Sequence, residues 1–344
     1  MRISDLENIN LPSKYDEEFR KVDLQALFSY DFKNVKSYEL DIVGLDSIED
    51  TNNYENPLFE ITKNFEKKQI VLSINSNIPE PICLVHKIKD DETFYTNSIK
   101  VEVKKGAKAS LIEVFTNTSK NSAYSVNREF HIEEDTDFEY AKVQDINEEN
   151  SFLYNAIFKQ EDNSKCKVSN FELGTGLIIN SYENSIDNKN IDYNLNGLVK
   201  SKDSSNTTNL IKTVHNNESS ISDINYKHSL KDNSKAVFKA KSIVNKKALY
   251  SKAFQNSNTI LLSNDATIFA QPHLEILIDE LEASHGATTG TLDKDQLLYL
   301  ESRGISKDKA YDMLLNAFEG QIYDNISDEL IKEFIDSYER DRYV

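Results

Sequence analysis

The residue best placed to do chemistry in this chain is His285, in the run Ser284-His285-Gly286-Ala287-Thr288-Thr289-Gly290. An imidazole near neutrality offers an uncharged nitrogen to a metal ion. The run follows a short alternating stretch, and its Gly-x-x-x-Gly spacing lets backbone approach closely. His285 is therefore expected at a strand end, either ligating a metal or hydrogen-bonding a tight turn. The other histidines have weaker cases. His86, His131 and His273 fall in or beside expected strands with no clustered partners, which points to structural roles. His215 and His228 flank Ser219, Ser220 and Ser222 and are expected in core and turn positions. Asp279, Glu280 and Glu282 form an acidic run that attracts a cation or solvates a strand end.

Several chemistries are excluded. Cys83 and Cys166 are the two cysteines, far apart and in no CxxC pattern, so neither a disulfide framework nor a self-contained Cys-rich metal site is available. No GxxxxGK[ST] run exists, so the chain is not itself a P-loop ATPase. The serine of Ser-His-Gly has no G-x-S-x-G setting, which argues against a hydrolase elbow. A formal charge of −18 argues against tracking nucleic-acid phosphates. No stretch reaches 18 uninterrupted apolar residues, so no transmembrane helix is expected. The opening MRISDLENINLPSKYDEEF carries early acids and no apolar core, so no signal peptide is expected and the setting is cytoplasmic.

Three stretches differ in periodicity. Residues 1–40 are polar and helix-compatible: Asp16, Glu17 and Glu18 follow Leu11-Pro12-Ser13 as a helix start, and Leu24, Leu27 and Phe28 supply an apolar face. Over 41–282 apolar residues alternate with polar ones, as in Ile99, Val101, Val103 and Ile191, Tyr193, Leu195, which predicts strands. Polar turn marks at Gly106, Asp135, Asn163, Asn190 and Asn217 lie 29, 28, 27 and 27 residues apart. A repeat of that length with strands inside predicts a β-solenoid rather than a sandwich. Over 283–344 the period changes to that of helices. Asp293 and Gln296 begin the first and Gly304 ends it. Ser306 begins the second, with a stripe of Ala310, Met313, Leu314, Ala317 and Phe318. A third starts at Ser327 and is expected to bury Leu330, Ile331, Phe334, Ile335 and Tyr338.

The Ser-His-Gly-Ala-Thr run, Leu297 to Ile305 (LLYLESRGI) and Ala317-Phe318, in that order and spacing, resemble the C-terminal end of the SufB/SufD family, scaffolds of Suf iron-sulfur cluster assembly. The stretch LPSKYDEEFRKVDL also resembles the family's junction before the core, with Phe19 where Trp is usual. Gly286 after the histidine matches the SufD-type form, since the SufB-type form has Glu there. The resemblance implies a right-handed parallel β-helix core and a non-catalytic subunit. Its implied partners are a SufB-like subunit, met through β-helix edges, and the SufC ATPase, met through the C-terminal helices. It implies that His285 helps hold a transient Fe-S cluster at the SufB interface, none being stably bound by this chain. Leu298, Tyr299, Arg303, Met313, Leu314 and Phe318 are the residues expected to face SufC. The family commonly reads Lys-Cys-Ser-His, whereas this chain reads Glu282-Ala283-Ser284-His285, so no thiolate comes from this strand. Two competitors stand beside this reading: a homodimeric scaffold with no distinct SufB partner, and a β-helix carbohydrate-active enzyme. The second wants paired carboxylates on neighbouring coils.

Overall fold

A computed structural model describes residues 1–6, 9–38 and 45–342; the boundary expected near residue 41 lies outside the described residues. The period-two pattern resolves into two stacks of strands, because each coil of chain contributes one strand to each. The first stack holds β1 (Asn34–Ser37), β2 (Asp46–Glu49), β3 (Lys68–Ile74), β5 (Thr93–Val103) and β7 (Ala123–Ile132). It continues through β9 (Ser151–Gln160), β11 (Leu177–Ile186), β13 (Asn206–His215), β15 (Lys235–Val244) and β17 (Thr267–Ile276). The second holds β4 (Ile82–Ile88), β6 (Lys108–Asn117), β8 (Asp137–Asp145) and β10 (Lys165–Glu172). It continues through β12 (Asp192–Ser201), β14 (Ile221–Leu230), β16 (Lys252–Leu261) and β18 (Glu282–Gly290). Neighbours within each stack run parallel, while β2 lies antiparallel on β3. The result is a β-solenoid of about eight turns, the architecture that the repeat spacing predicts.

Four of the turn marks sit where left-handed backbone is needed: Gly106 (φ 73), Asp135 (φ 59), Asn163 (φ 60) and Asn190 (φ 55). Glycine, asparagine and aspartate tolerate that region best, so the turn chemistry selects them. They stack along one edge. The Asn190 amide donates to Asn163 Oδ1 at 3.0 Å and the Asn163 amide to Asp135 Oδ1 at 3.1 Å. The fifth mark shifts: the left-handed residue there is Ser219 (φ 61), not Asn217.

Inward side chains of both stacks form the main core, with Phe130, Phe138, Tyr154, Phe158 and Tyr193 among its largest members. The Tyr38 ring covers the first coil, meeting His86 at 5.7 Å, Tyr124 at 5.8 Å and Tyr95 at 6.5 Å. Helical layers cover the two outer faces. On the first stack, α1 (Leu24–Ser29) buries Leu24, Leu27 and Phe28 against Phe94, Leu153 and Ile179. The helix expected to start after Ser13 is instead a series of turns, and α1 begins at Leu24. A helix also interrupts the region expected to be all strand. This is α2 (Pro57–Phe65), with Pro57 at its first turn and Asn56 capping the Leu58 N–H. It lies on polar strand faces through the Asn127 amide to Phe59 O (3.0 Å) and a Thr62–Ser125 hydroxyl pair (2.8 Å).

The opposite face carries the C-terminal helices α3 (Lys294–Ser302), α4 (Lys307–Tyr323) and α5 (Glu329–Arg342). Asp293 caps α3 by accepting from the Asp295 and Gln296 N–H groups, and Gly304 (φ 85) ends it. Asp328, not Ser327, caps α5, accepting from Leu330 N at 2.9 Å. Ile322, Ile326, Ile331 and Ile335 pack on Ile112, Ala141, Val143, Phe171 and Leu198 of the second stack. The apolar stripe expected on α4 is only partly its buried face: Ala310 is buried and Leu314 and Phe318 are half-buried, but Met313 and Ala317 are exposed, while Glu319 and Ile322 are buried beside them. In α5, Leu330 and Phe334 also face outward while Ile331 and Ile335 carry the packing.

Candidate functional site

The final strand decides the geometry around His285. The chain was expected to leave the β-core before Ser284, but β18 runs through Ser284 to Gly290 and pairs with β16 along its length. His285 is therefore mid-strand, not at a strand end or in a turn. Its neighbour in register is Gln255, and Ala283 lies beside Ala253 and Ala287 beside Ser257. In-register residues of parallel strands share a face. Ala253, Gln255 and Ser257 are buried inward residues, so His285 stands over the inside of the solenoid at its last coil. No described strand follows β17 or β18 in either stack, so both edges are open and His285 is exposed. Gly286 faces the other way, where an added Cβ would meet Asn256 Oδ1 at an ordinary 3.6 Å, so close backbone approach is not its role.

In the acidic run the Asp279 and Glu280 side chains are exposed, and the fold engages the other acid and one carbonyl. Glu282 pairs with Lys252 at 2.9 Å, and the Glu280 carbonyl accepts from Tyr250 N at 2.8 Å. Among the described residues no three His, Cys, Asp or Glu side chains gather as a metal-ion cluster. Cys83 is exposed on β4 and Cys166 is buried in β10, where burial pushes its thiol well up. The last coil thus presents an imidazole from β18 with no cysteine of the described residues beside it.

The other histidines occupy the structural places expected of them, but the partners of His86 escape the sequence. His86 is buried, bonds Glu113 at 2.8 Å and stacks on Phe115. Glu113 also takes the Arg128 guanidinium at 2.9 Å and the Tyr140 hydroxyl at 2.7 Å. Burial alone would raise the Glu113 carboxyl, yet Arg128 and His86 hold it well below the usual carboxylate range. One coil on, in register with Glu113, buried Lys142 bridges Glu172 at 2.7 Å and Asn180 at 2.6 Å. These groups occupy inward period-two positions, and only their alternation with Tyr140, Phe130 and Phe138 marks them as interior. His215 meets Ser222 at 2.8 Å, and burial draws His215 and His228 each down to about 4. His131 pairs with Glu161 at 2.9 Å.

A second surface is formed by α3 and α4. Leu298 (63% exposed), Tyr299 (57%) and Met313 (43%) leave it apolar, and Arg303 lies over the Tyr299 ring at 5.2 Å. Leu314 and Phe318 are half-buried. The Phe318 ring sits under the Lys227 ammonium at 4.4 Å, and Lys227 also donates to the Phe318 carbonyl and to Gln321. Lys200 ties α4 to α5, meeting Glu319 at 2.9 Å and Glu339 at 3.1 Å. This face of the hairpin is presented outward by a helix pinned to the solenoid at its far half.

The family model described as "SUF system FeS cluster assembly, SufBD core domain" matches residues 86–318. The iron-sulfur cluster assembly protein SufD of Escherichia coli is 25% identical over 235 residues, 68% of this chain and 55% of that protein. A protein of the same name from Plasmodium falciparum is 27% identical over 237 residues, covering 67% of this chain and 16% of its own length. A SufBD family protein of Synechocystis is 40% identical over 91 residues, 26% of this chain and 20% of that one. The chain thus spans about half of the Escherichia coli protein and less of the others. The matched region covers the coils from β4 onward together with α3 and most of α4, and on that match the chain belongs to the SufBD family of the SUF iron-sulfur cluster assembly system, as a SufD-type member.

Proposed function

We propose that this chain is a non-catalytic, SufD-like subunit that pairs with a SufB-like partner through the open end of its solenoid. There it offers His285 to an iron-sulfur cluster assembled as cargo. The observation that carries this is β18 itself: a strand at the last coil with its outer edge free, bearing an exposed imidazole over the solenoid interior. A free parallel edge is a template for strand addition. Imidazole suits iron as a borderline nitrogen ligand, and thiolates would come from the partner, since Ala283 supplies none. The exposed α3–α4 face, with Leu298, Tyr299, Arg303 and Met313, is the surface offered to the SufC ATPase, with Leu314 and Phe318 behind it. The setting we propose is cytoplasmic; no helix among the described residues is long and apolar enough to cross a membrane.

The test is co-purification of tagged chain with SufB-like and SufC proteins, followed by anaerobic cluster reconstitution. Wild-type chain should recover both partners, and His285→Ala should recover both but form less cluster. His285→Cys, which replaces the nitrogen by a thiolate, should restore part of the yield. A wild-type yield from His285→Ala removes the ligand role. Recovery of a second copy of this chain in place of a SufB-like partner would establish the homodimeric scaffold instead.

A further inference from the structure

Gln255 lies in register with His285 on the adjacent strand, one coil deeper. It is 2% exposed. Its Nε2 donates to Ser242 Oγ at 2.7 Å and to the His273 carbonyl at 3.2 Å. An amide nitrogen has two protons, and both are used. The His273 carbonyl only accepts, so reversing the amide would set two acceptors against each other. The orientation is therefore fixed, and Oε1 is left as a buried acceptor that receives no hydrogen bond from any described residue. A buried acceptor left in that state forfeits its hydration with nothing in return. The next inward side chain along the sheet is the His285 ring, on a strand about 4.8 Å away.

The geometry points to Gln255 as the positioning residue for His285: Oε1 stands open beside it, and a turn of the exposed imidazole about its side-chain bonds brings Nδ1–H to that acceptor, which leaves the Nε2 lone pair directed out of the open end. Nδ1 is the ring nitrogen nearer the backbone and so nearer a buried acceptor, whereas Nε2 projects beyond it. Metal-binding histidines are commonly held in one tautomer in this way, by a carbonyl or carboxylate on the far nitrogen. The cluster side of the inference rests on the ligand role proposed above; the tautomer does not, and it is read on the isolated chain.

The test is a two-bond proton–nitrogen correlation spectrum of the full chain labelled with ¹⁵N-histidine. Wild-type His285 should carry its proton on Nδ1, the less common form of free imidazole. Gln255→Leu should return it to the Nε2-protonated form. Gln255→Glu, which keeps an acceptor oxygen at the same place, should retain Nδ1 protonation. Ser242→Ala, which frees one anchor of the amide, should give a mixture. In the assembled complex Gln255→Leu should lower cluster yield by about tenfold, the lower end for outer partners of a ligating histidine. Nε2 protonation in the wild type, or an unchanged tautomer in a folded Gln255→Leu protein, overturns the proposal. Should Gln255→Leu fail to fold, the wild-type and Ser242→Ala spectra still decide. Nδ1 protonation combined with full yield from His285→Ala would keep the positioning role and remove the ligand role; the reverse pair would do the opposite.

Discussion

Glu113, Arg128, Lys142 and Glu172 are charges held inside a stack of aromatic rings, and they persist there because each is paired. Removing one member leaves an uncompensated charge. Lys142→Met should therefore cost about 3–5 kcal/mol in denaturant unfolding, while Lys142→Met with Glu172→Leu should recover much of the loss. A double variant that costs the sum of the two single variants would show that the pair is not coupled. His215 and His228 give a second expectation, in pH. Each is lowered by burial from 6.5 to about 4. Between those values the unfolded chain binds the proton and the folded chain does not. Stability should then be level above about pH 6.5 and fall on acidification towards pH 4, by at most about 1.4 kcal/mol per pH unit for each histidine. His228→Gln should make that slope shallower. Paired carboxylates act lower: Glu102, held at about 2 by Lys104 and Lys100, loses its contribution only below its ordinary 4.5. At this scale His285 could be singled out from the sequence because it stands in a motif. Glu113 and Lys142 could not, since a charged residue at a period-two position reads as an outward one until its strand is placed.

At the scale of elements, the turns were the most legible part. Left-handed backbone restricts residue type so strongly that Gly106, Asp135, Asn163 and Asn190 mark the coils by themselves. Helix α2 was hidden because nine residues give too little period to stand out beside strands on both sides. Strand β18 was misplaced for another reason. Its Gly, Ser and Thr residues resemble a turn, yet a last strand has no further coil to pack against and so needs no apolar face. Two strand glycines, Gly197 in β12 and Gly286 in β18, differ in the room around them. Gly197→Ala would put a Cβ 2.2 Å from the Tyr226 ring and should cost about 1–3 kcal/mol, whereas Gly286→Ala, at 3.6 Å from Asn256, should leave the melting temperature unchanged. On α4, Phe318→Ala removes a half-buried ring under Lys227 and should cost less than the roughly 3–5 kcal/mol of a core phenylalanine. Lost SufC recovery with modest destabilisation would mark Phe318 as part of the binding face; unchanged recovery would leave it a prop for the helix.

At the scale of the whole molecule, the layers run from the N-terminal helices through two sheets to α4 and α5, and both broad faces are thereby occupied. Among the described residues the last coil and the α3–α4 hairpin remain uncovered. Ala287 lies at the rim of that coil, beside Ser257. Ala287→Arg should prevent capture of the SufB-like partner while leaving circular dichroism and melting as in the wild type. Undiminished capture would place the pairing surface elsewhere. The two ends of the stack are unlike. Tyr38 lies over the first coil and an antiparallel β2 terminates one sheet, whereas the last coil is bare. If two such bodies join through their bare coils, the end left outward carries the antiparallel β2 on one sheet, a strand whose direction does not continue the parallel stack and so discourages the fibre that an unguarded parallel edge invites.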